Sequence, residues 1–300
     1  MCVLRASLVT GILIVLGLGV SGAAGGSSHI DPVLVWCYDC RAYESVGLYT
    51  MRPDGTHFRF RLRGFRQARW SPDGGRLALV GEAPRPGIWT APPDGRGMKR
   101  LTAWKYDSSP TWSPDGRKIV FVHSRDSTRL WMISAAGGRK HPVVRKDTGE
   151  QNYPDWSPRG DRIAFSNTRV NYGETDGDLF VVRPDGTGLR RLGHPGVMPR
   201  WSPDGKRLAY LIPRLDDDQF VVRVLTLRTN RVRRYAVRLN LAAPVWSPDG
   251  NSLLVNACRP DSPDCELDDV SKLRLRDGQI TALRNLPLGG PVDWRRPRAP

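Results

Sequence analysis

The residues best equipped for chemistry are four cysteines, Cys37, Cys40, Cys258 and Cys265, and five histidines, His29, His57, His123, His141 and His194. Cys37-Tyr-Asp-Cys40 has the two-residue gap of a metal-binding pair, but Cys258 and Cys265 are separated by six residues, which zinc sites do not favour. Two disulfides would use all four sulfurs if the chain meets an oxidising compartment. Local pairs, Cys37–Cys40 and Cys258–Cys265, need only short loops and are preferred. Cross-pairs stay open, because they demand a narrow Cα separation between distant segments. The histidines recur at no fixed position. His123, in the loop expected after one strand, and His194, in a loop expected before another, could face an opening, although a single exposed histidine is the commoner outcome. The chain has no Gly-x-Ser-x-Gly elbow, no His-Glu-x-x-His and no phosphate-binding Gly-Lys-Ser/Thr. Glu174, Asp176 and Asp178, and then Asp216, Asp217 and Asp218, do not have EF-hand spacing. The expectation is no catalytic residue, no metal and no cofactor.

The N-terminus bears on the cysteine question. Arg5 precedes an apolar run from Leu8 to Val20, and Ser21-Gly22-Ala23 supplies a small-residue cleavage pattern. As a helix that run spans about 20 Å, short of the ~30 Å hydrocarbon core. Residues 1–24 are therefore expected to be a signal peptide, 25–31 a linker, 32–296 the folded domain and 297–300 a tail. An uncleaved anchor is the alternative, and the one membrane attachment the sequence offers. Export to the periplasm or beyond makes disulfides the better reading of the cysteines.

Composition limits what must position these groups. Among 300 residues, Gly 31 and Pro 25 form a turn-rich chain that favours short strands over helices. A mean hydropathy of −0.42 excludes a polytopic membrane protein. The formal net charge is +16, and only 7 of the 46 basic residues are lysine. Such a surface invites anionic polymers. Nucleic acid is not expected, because too few aromatics interleave with the arginines to stack bases. Arg59, Arg61 and Arg63, and Arg231, Arg233 and Arg234, fall where outer strands are expected, and charges there block strand addition by another chain.

A repeat organises the chain. Trp-Ser-Pro-Asp-Gly begins at Trp70, Trp112, Trp201 and Trp246, and a variant with Arg159 in place of Asp begins at Trp156. Successive tryptophans are 42, 44, 45 and 45 residues apart. An apolar run follows each copy, such as Leu77-Ala78-Leu79-Val80 or Ile119-Val120-Phe121-Val122. Ser, Pro and Asp suit the first three positions of a type I turn, and Gly accepts the left-handed conformation that completes a hairpin. A second turn lies midway, as at Pro53-Asp54-Gly55, Pro93-Asp94-Gly95 and Pro184-Asp185-Gly186. Four strands per period of 40–50 residues define propeller blades. Val33-Leu34-Val35-Trp36 begins the first blade without its inner strand, and Pro291-Val292-Asp293-Trp294 is an inner strand with nothing after it. The expected fold is an all-β, six-bladed propeller of four-stranded antiparallel blades, the first blade closed by the C-terminal strand.

These motifs resemble the six-bladed propeller repeat of TolB-type periplasmic proteins, from Val33 to Trp294. The resemblance implies a non-catalytic binding scaffold in the cell envelope with a macromolecular, most simply protein, partner. It also implies a propeller-only relative, without the additional α/β domain of TolB. A propeller enzyme, a lyase or hydrolase acting on an envelope carbohydrate, is the alternative. Variable loops carry function on such scaffolds. Trp104, Tyr106 and Asp107, Asn152 and Tyr153, and Asp216 to Asp218 are the expected contact residues.

Overall fold

The computed structural model describes residues 31–37, 47–146, 148–171, 174–213, 220–239, 242–258, 268–285 and 289–295. They form twenty-four strands and no helix. The first unit contains β1 (Val33–Cys37), β2 (Gly47–Met51) and β3 (Arg59–Leu62); the second, β4 (Phe65–Trp70), β5 (Leu77–Gly81), β6 (Gly87–Ala91) and β7 (Lys99–Arg100). The third is β8 (Ser108–Trp112), β9 (Lys118–Ser124), β10 (Thr128–Ser134) and β11 (His141–Pro142). The fourth is β12 (Glu150–Trp156), β13 (Ile163–Asn171), β14 (Glu174–Val182) and β15 (Arg190–Pro195). Then come β16 (Val197–Trp201), β17 (Arg207–Pro213), β18 (Phe220–Thr226) and β19 (Arg231–Leu239). The last strands are β20 (Val245–Trp246), β21 (Ser252–Cys258), β22 (Asp268–Arg274), β23 (Ile280–Asn285) and β24 (Gly289–Trp294).

Four sheets have four strands each, and a fifth has eight. The eight-stranded sheet consists of two meanders, β16–β19 and β20–β23, joined where Leu239 pairs with Ala257. The expected end-to-end closure is present. β24 runs antiparallel to β1, with Val33 opposite Trp294 and Cys37 opposite Gly289, and the Arg295 N–H donates to the Pro32 carbonyl at 2.9 Å.

The apolar runs after each Trp motif are continuous because both faces of these strands are buried. Leu77 and Leu79 pack toward the first unit with Leu34 and Leu48, whereas Ala78 and Val80 pack toward the third with Ile119 and Phe121. The same partition repeats along the chain. The last such cluster joins Val245, Leu254 and Val270 to Val33, Val35 and Met51, so packing closes the ring as the strand pairing does. Among the described residues no helix is long and apolar enough to cross a membrane.

Candidate functional site

Every unit but the first runs from an inner strand ending in Trp, through the Ser-Pro turn, back along a second strand; in the first, β24 supplies the inner strand. The Ser-Pro turns therefore share one face, and the far ends of the strands share the other.

On the turn face, local hydrogen bonding explains the motif. The Ser71 hydroxyl donates to Asp73 Oδ1 at 2.5 Å and accepts from the Arg76 N–H at 2.9 Å, while the Gly74 N–H donates to the Ser71 carbonyl. Gly74 sits at φ +65°, in the left-handed region expected for it. Ser113 with Asp115, Ser202 with Asp204 and Ser247 with Asp249 repeat the bond at 2.5 Å. The serine hydroxyl and the backbone N–H two residues on hold the Asp115 and Asp249 carboxyls below the usual carboxylate range. The tryptophans latch neighbouring units. Trp112, Trp201 and Trp246 donate their indole N–H to the carbonyls of Arg69, Asp155 and Arg200, at 3.0, 3.1 and 2.9 Å.

The residue preceding each Trp faces the centre of the ring. Around it stand Asp293, Arg69, Thr111, Asp155, Arg200 and Val245. Where this residue can accept, it takes the backbone N–H of the next unit's Trp. Asp293 accepts from Trp70 at 2.7 Å, Thr111 from Trp156 at 3.3 Å and Asp155 from Trp201 at 2.8 Å. The charges also meet across the channel. Arg69 donates to Asp155 at 2.7 Å and lies 3.6 Å from Asp293, and Arg200 reaches Asp155 at 3.4 Å. The neighbouring carboxylates outweigh burial and raise the Arg69 pKa. This cluster lines a cavity of about 340 Å³ on the turn face.

The opposite face is less regular. Trp104, from the segment between β7 and β8, donates its indole N–H to the Ser124 carbonyl at 2.7 Å, which fixes it at the far end of β9. Tyr106 meets it edge-on at 6.1 Å and is 53% exposed, the largest exposure of any bulky apolar side chain among the described residues. The Lys105 ammonium lies 4.7 Å from the Tyr106 ring centre, and the Arg125 guanidinium 5.6 Å from that of Trp104. Two expectations change here. Asp107 is not an exposed contact residue: it is fully buried, with Oδ1 2.5 Å from His123 Nδ1. His123 is accordingly no isolated surface histidine. It is an oriented, nearly buried ring with Trp131 edge-on at 5.2 Å and Lys140 Nζ 3.4 Å from Nδ1.

Asn152 and Tyr153, expected in a loop, belong to strand β12, where a bulge between Asn152 and Asp155 places Tyr153 at φ +52°. The half-buried Tyr153 ring packs against the apolar cluster that spans β16–β22, and burial raises its pKa. Glu174, Asp176 and Asp178 lie on strand β14, because β13 and β14 form a long hairpin, and Asp178 pairs with Arg191 at 2.7 Å. His194 bonds Asn230 at 2.9 Å. Asp216 to Asp218, Cys40, Cys265 and the N-terminal segment lie outside the described residues. No cluster of three or more His, Cys, Asp or Glu that could hold a metal occurs among the described residues.

Known proteins match this architecture. No protein-family model matches the chain. The Tol-Pal system protein TolB of Alcanivorax borkumensis is 40% identical over 62 residues, 20% of this chain and 14% of that protein. The chain aligns with 14% to 31% of the length of the first curated relatives it matches. Among solved structures, TolB from Acinetobacter baumannii superposes with a TM-score of 0.72 at 19% identity, covering 88% of this chain and 66% of that one. An oligogalacturonate lyase in complex with manganese superposes with a TM-score of 0.58 at 14% identity, over 81% and 72% of the two chains. The molecule is an all-β propeller. Its repeat and its fold are TolB-like.

Proposed function

We propose that the chain is an exported, non-catalytic scaffold that binds a protein partner in the cell envelope through the face carrying Trp104, Lys105, Tyr106 and Arg125. In this reading the eight-stranded sheet counts as two blades, and the propeller has six. The observation that carries it is the exposed Tyr106 ring, braced on Trp104 and flanked by cations. Rigid aromatic and arginine groups on a surface are the anchors that protein interfaces concentrate their energy on. The channel carboxylates support the same conclusion. Asp155 accepts a tryptophan N–H and Arg69, and Asp293 accepts a tryptophan N–H with Arg69 3.6 Å away, so both are committed to holding the ring. Export is supported by the N-terminal apolar run and by the likeness to TolB of the Tol-Pal system. Paired cysteines are supported by the bonded state of Cys37 and Cys258.

The test is cross-linking of the mature chain in envelope extract, beside Tyr106→Ser and Arg125→Glu. Both variants should melt with the wild type while the main cross-linked partner falls at least tenfold. An unchanged partner profile would sink the proposal. A second reading, as a propeller enzyme on an envelope carbohydrate, is favoured by the buried Asp107 that orients His123. It predicts turnover of an acidic oligosaccharide by the wild type and loss of that turnover in His123→Asn.

A further inference from the structure

We propose that the partner meets this chain with an acidic peptide segment, whose carboxylates pair with Lys105 and Arg125 while an apolar side chain between them packs on Tyr106. This rests on the scaffold reading above and names the chemistry of the segment that scaffold receives. The presenting element is a short turn. The Asp107 N–H donates to the Trp104 carbonyl at 3.2 Å, so Lys105 and Tyr106 are the two central residues of the turn, and both are exposed. Each end of the turn is anchored. The Trp104 indole N–H donates to the Ser124 carbonyl at 2.7 Å, and the buried Asp107 carboxylate lies 2.5 Å from His123 Nδ1. Groups held in place before association lose little freedom when a partner arrives.

Charge decides what the segment carries. Lys105 lies over the Tyr106 ring and the exposed Arg125 over that of Trp104, and neither cation has an ion pair or a hydrogen bond among the described residues. Arg100, in the same corner, is by contrast engaged by the carbonyls of Pro86, Thr102 and Ala103. The acids adjacent in sequence do not neutralise the pair: Asp107 is committed to His123, and the exposed Asp126 forms no ion pair with Arg125. A wholly apolar partner surface would strip water from both cations and return no acceptor. A basic one would be repelled. Carboxylates supply the acceptors, and a guanidinium takes one with two parallel N–H groups. The Tyr106 ring beside them offers an apolar body to the side chain that lies between.

Fluorescence anisotropy with a labelled peptide of Asp and Glu around a central Leu, beside its Asn and Gln counterpart, tests the proposal at constant ionic strength. The acidic peptide should bind the full chain at least tenfold more tightly than the amide peptide. Lys105→Gln combined with Arg125→Gln should abolish that preference. Arg231→Gln combined with Arg234→Gln removes the same charge from β19 and should change affinity less than twofold, which separates the turn from the overall positive field. If the first pair does not fold, Lys105→Gln alone should still weaken the acidic peptide at least threefold. Equal binding of the two peptides, equal losses from the two pairs, or unchanged affinity in a folded Lys105→Gln with Arg125→Gln would each overturn the proposal. Cross-linking distinguishes the two readings. A partner lost in Tyr106→Ser but kept in Lys105→Gln with Arg125→Gln leaves the scaffold standing and removes the acidic segment, whereas a partner kept in both removes the scaffold reading and this proposal with it.

Discussion

The turn after Trp70 and the turn after Trp156 reach the same geometry with different carboxylates. In the first, the Ser71 hydroxyl bonds Asp73, inside the Ser-Pro-Asp-Gly motif. In the second, Arg159 occupies that position, and the Ser157 hydroxyl bonds Asp161 at 2.7 Å, two residues further on. Both serines still accept the N–H five residues ahead, from Arg76 and from Arg162. The altered copy differs in one latch as well: the Trp156 indole donates to its own turn, at the Gly160 carbonyl, instead of to the preceding unit. What the turn requires is thus an acceptor within reach of the serine hydroxyl, and two sequence positions can supply it.

The largest effect should come from the serines themselves. Ser71→Ala and Ser157→Ala each remove two hydrogen bonds, one from a part-buried N–H and one to a carboxylate, so each should cost about 1–3 kcal/mol in chemical denaturation. Equal losses support equivalence of the two turns, and a silent Ser157→Ala would break it. A smaller effect separates the carboxylates. Asp161→Ala should cost about 1 kcal/mol, and adding Arg159→Asp should restore most of it by rebuilding the motif. If the second substitution fails to rescue, the two positions are not interchangeable. The smallest effect is on pH. Asp115 and Asp249 have depressed carboxyls, chiefly through the hydroxyls of Ser113 and Ser247. Their contribution is present above the unfolded carboxylate value near 3.9 and is lost as pH falls through the lower folded values. These groups are largely exposed, so screening keeps each contribution to a few tenths of a kcal/mol. Ser113→Ala should flatten the acid limb of the stability curve slightly.

The turns, the strand pairing and the closure by Trp294 were readable because each is local or repeated. The compensating Asp161 was in plain view one residue past the motif, but a carboxylate earns its role only when the turn brings it to Ser157. The channel cluster was harder to see. Arg69 and Asp155 lie 86 residues apart, and the position before Trp changes in type from one unit to the next. Stacking the repeats and comparing that position alone would have exposed the order acid, base, uncharged, twice over: Asp293, Arg69, Thr111, then Asp155, Arg200, Val245. Asp107 and His123 meet across two strands, and nothing in their spacing distinguishes them from surface residues.

The pairing of β24 with β1 also sets the order in which the chain can assemble. Most strand contacts join neighbours in sequence, as Trp70 joins Leu77, and can form early. Val33 and Trp294 are about 260 residues apart, and bringing such ends together costs about 5 kcal/mol of loop entropy beyond a constant term. That contact is rewarded only when the intervening units already curve the ends toward each other. The seam should therefore form last in folding and open first in unfolding, with the amides of β1 and β24 exchanging with solvent ahead of those in β9 and β13.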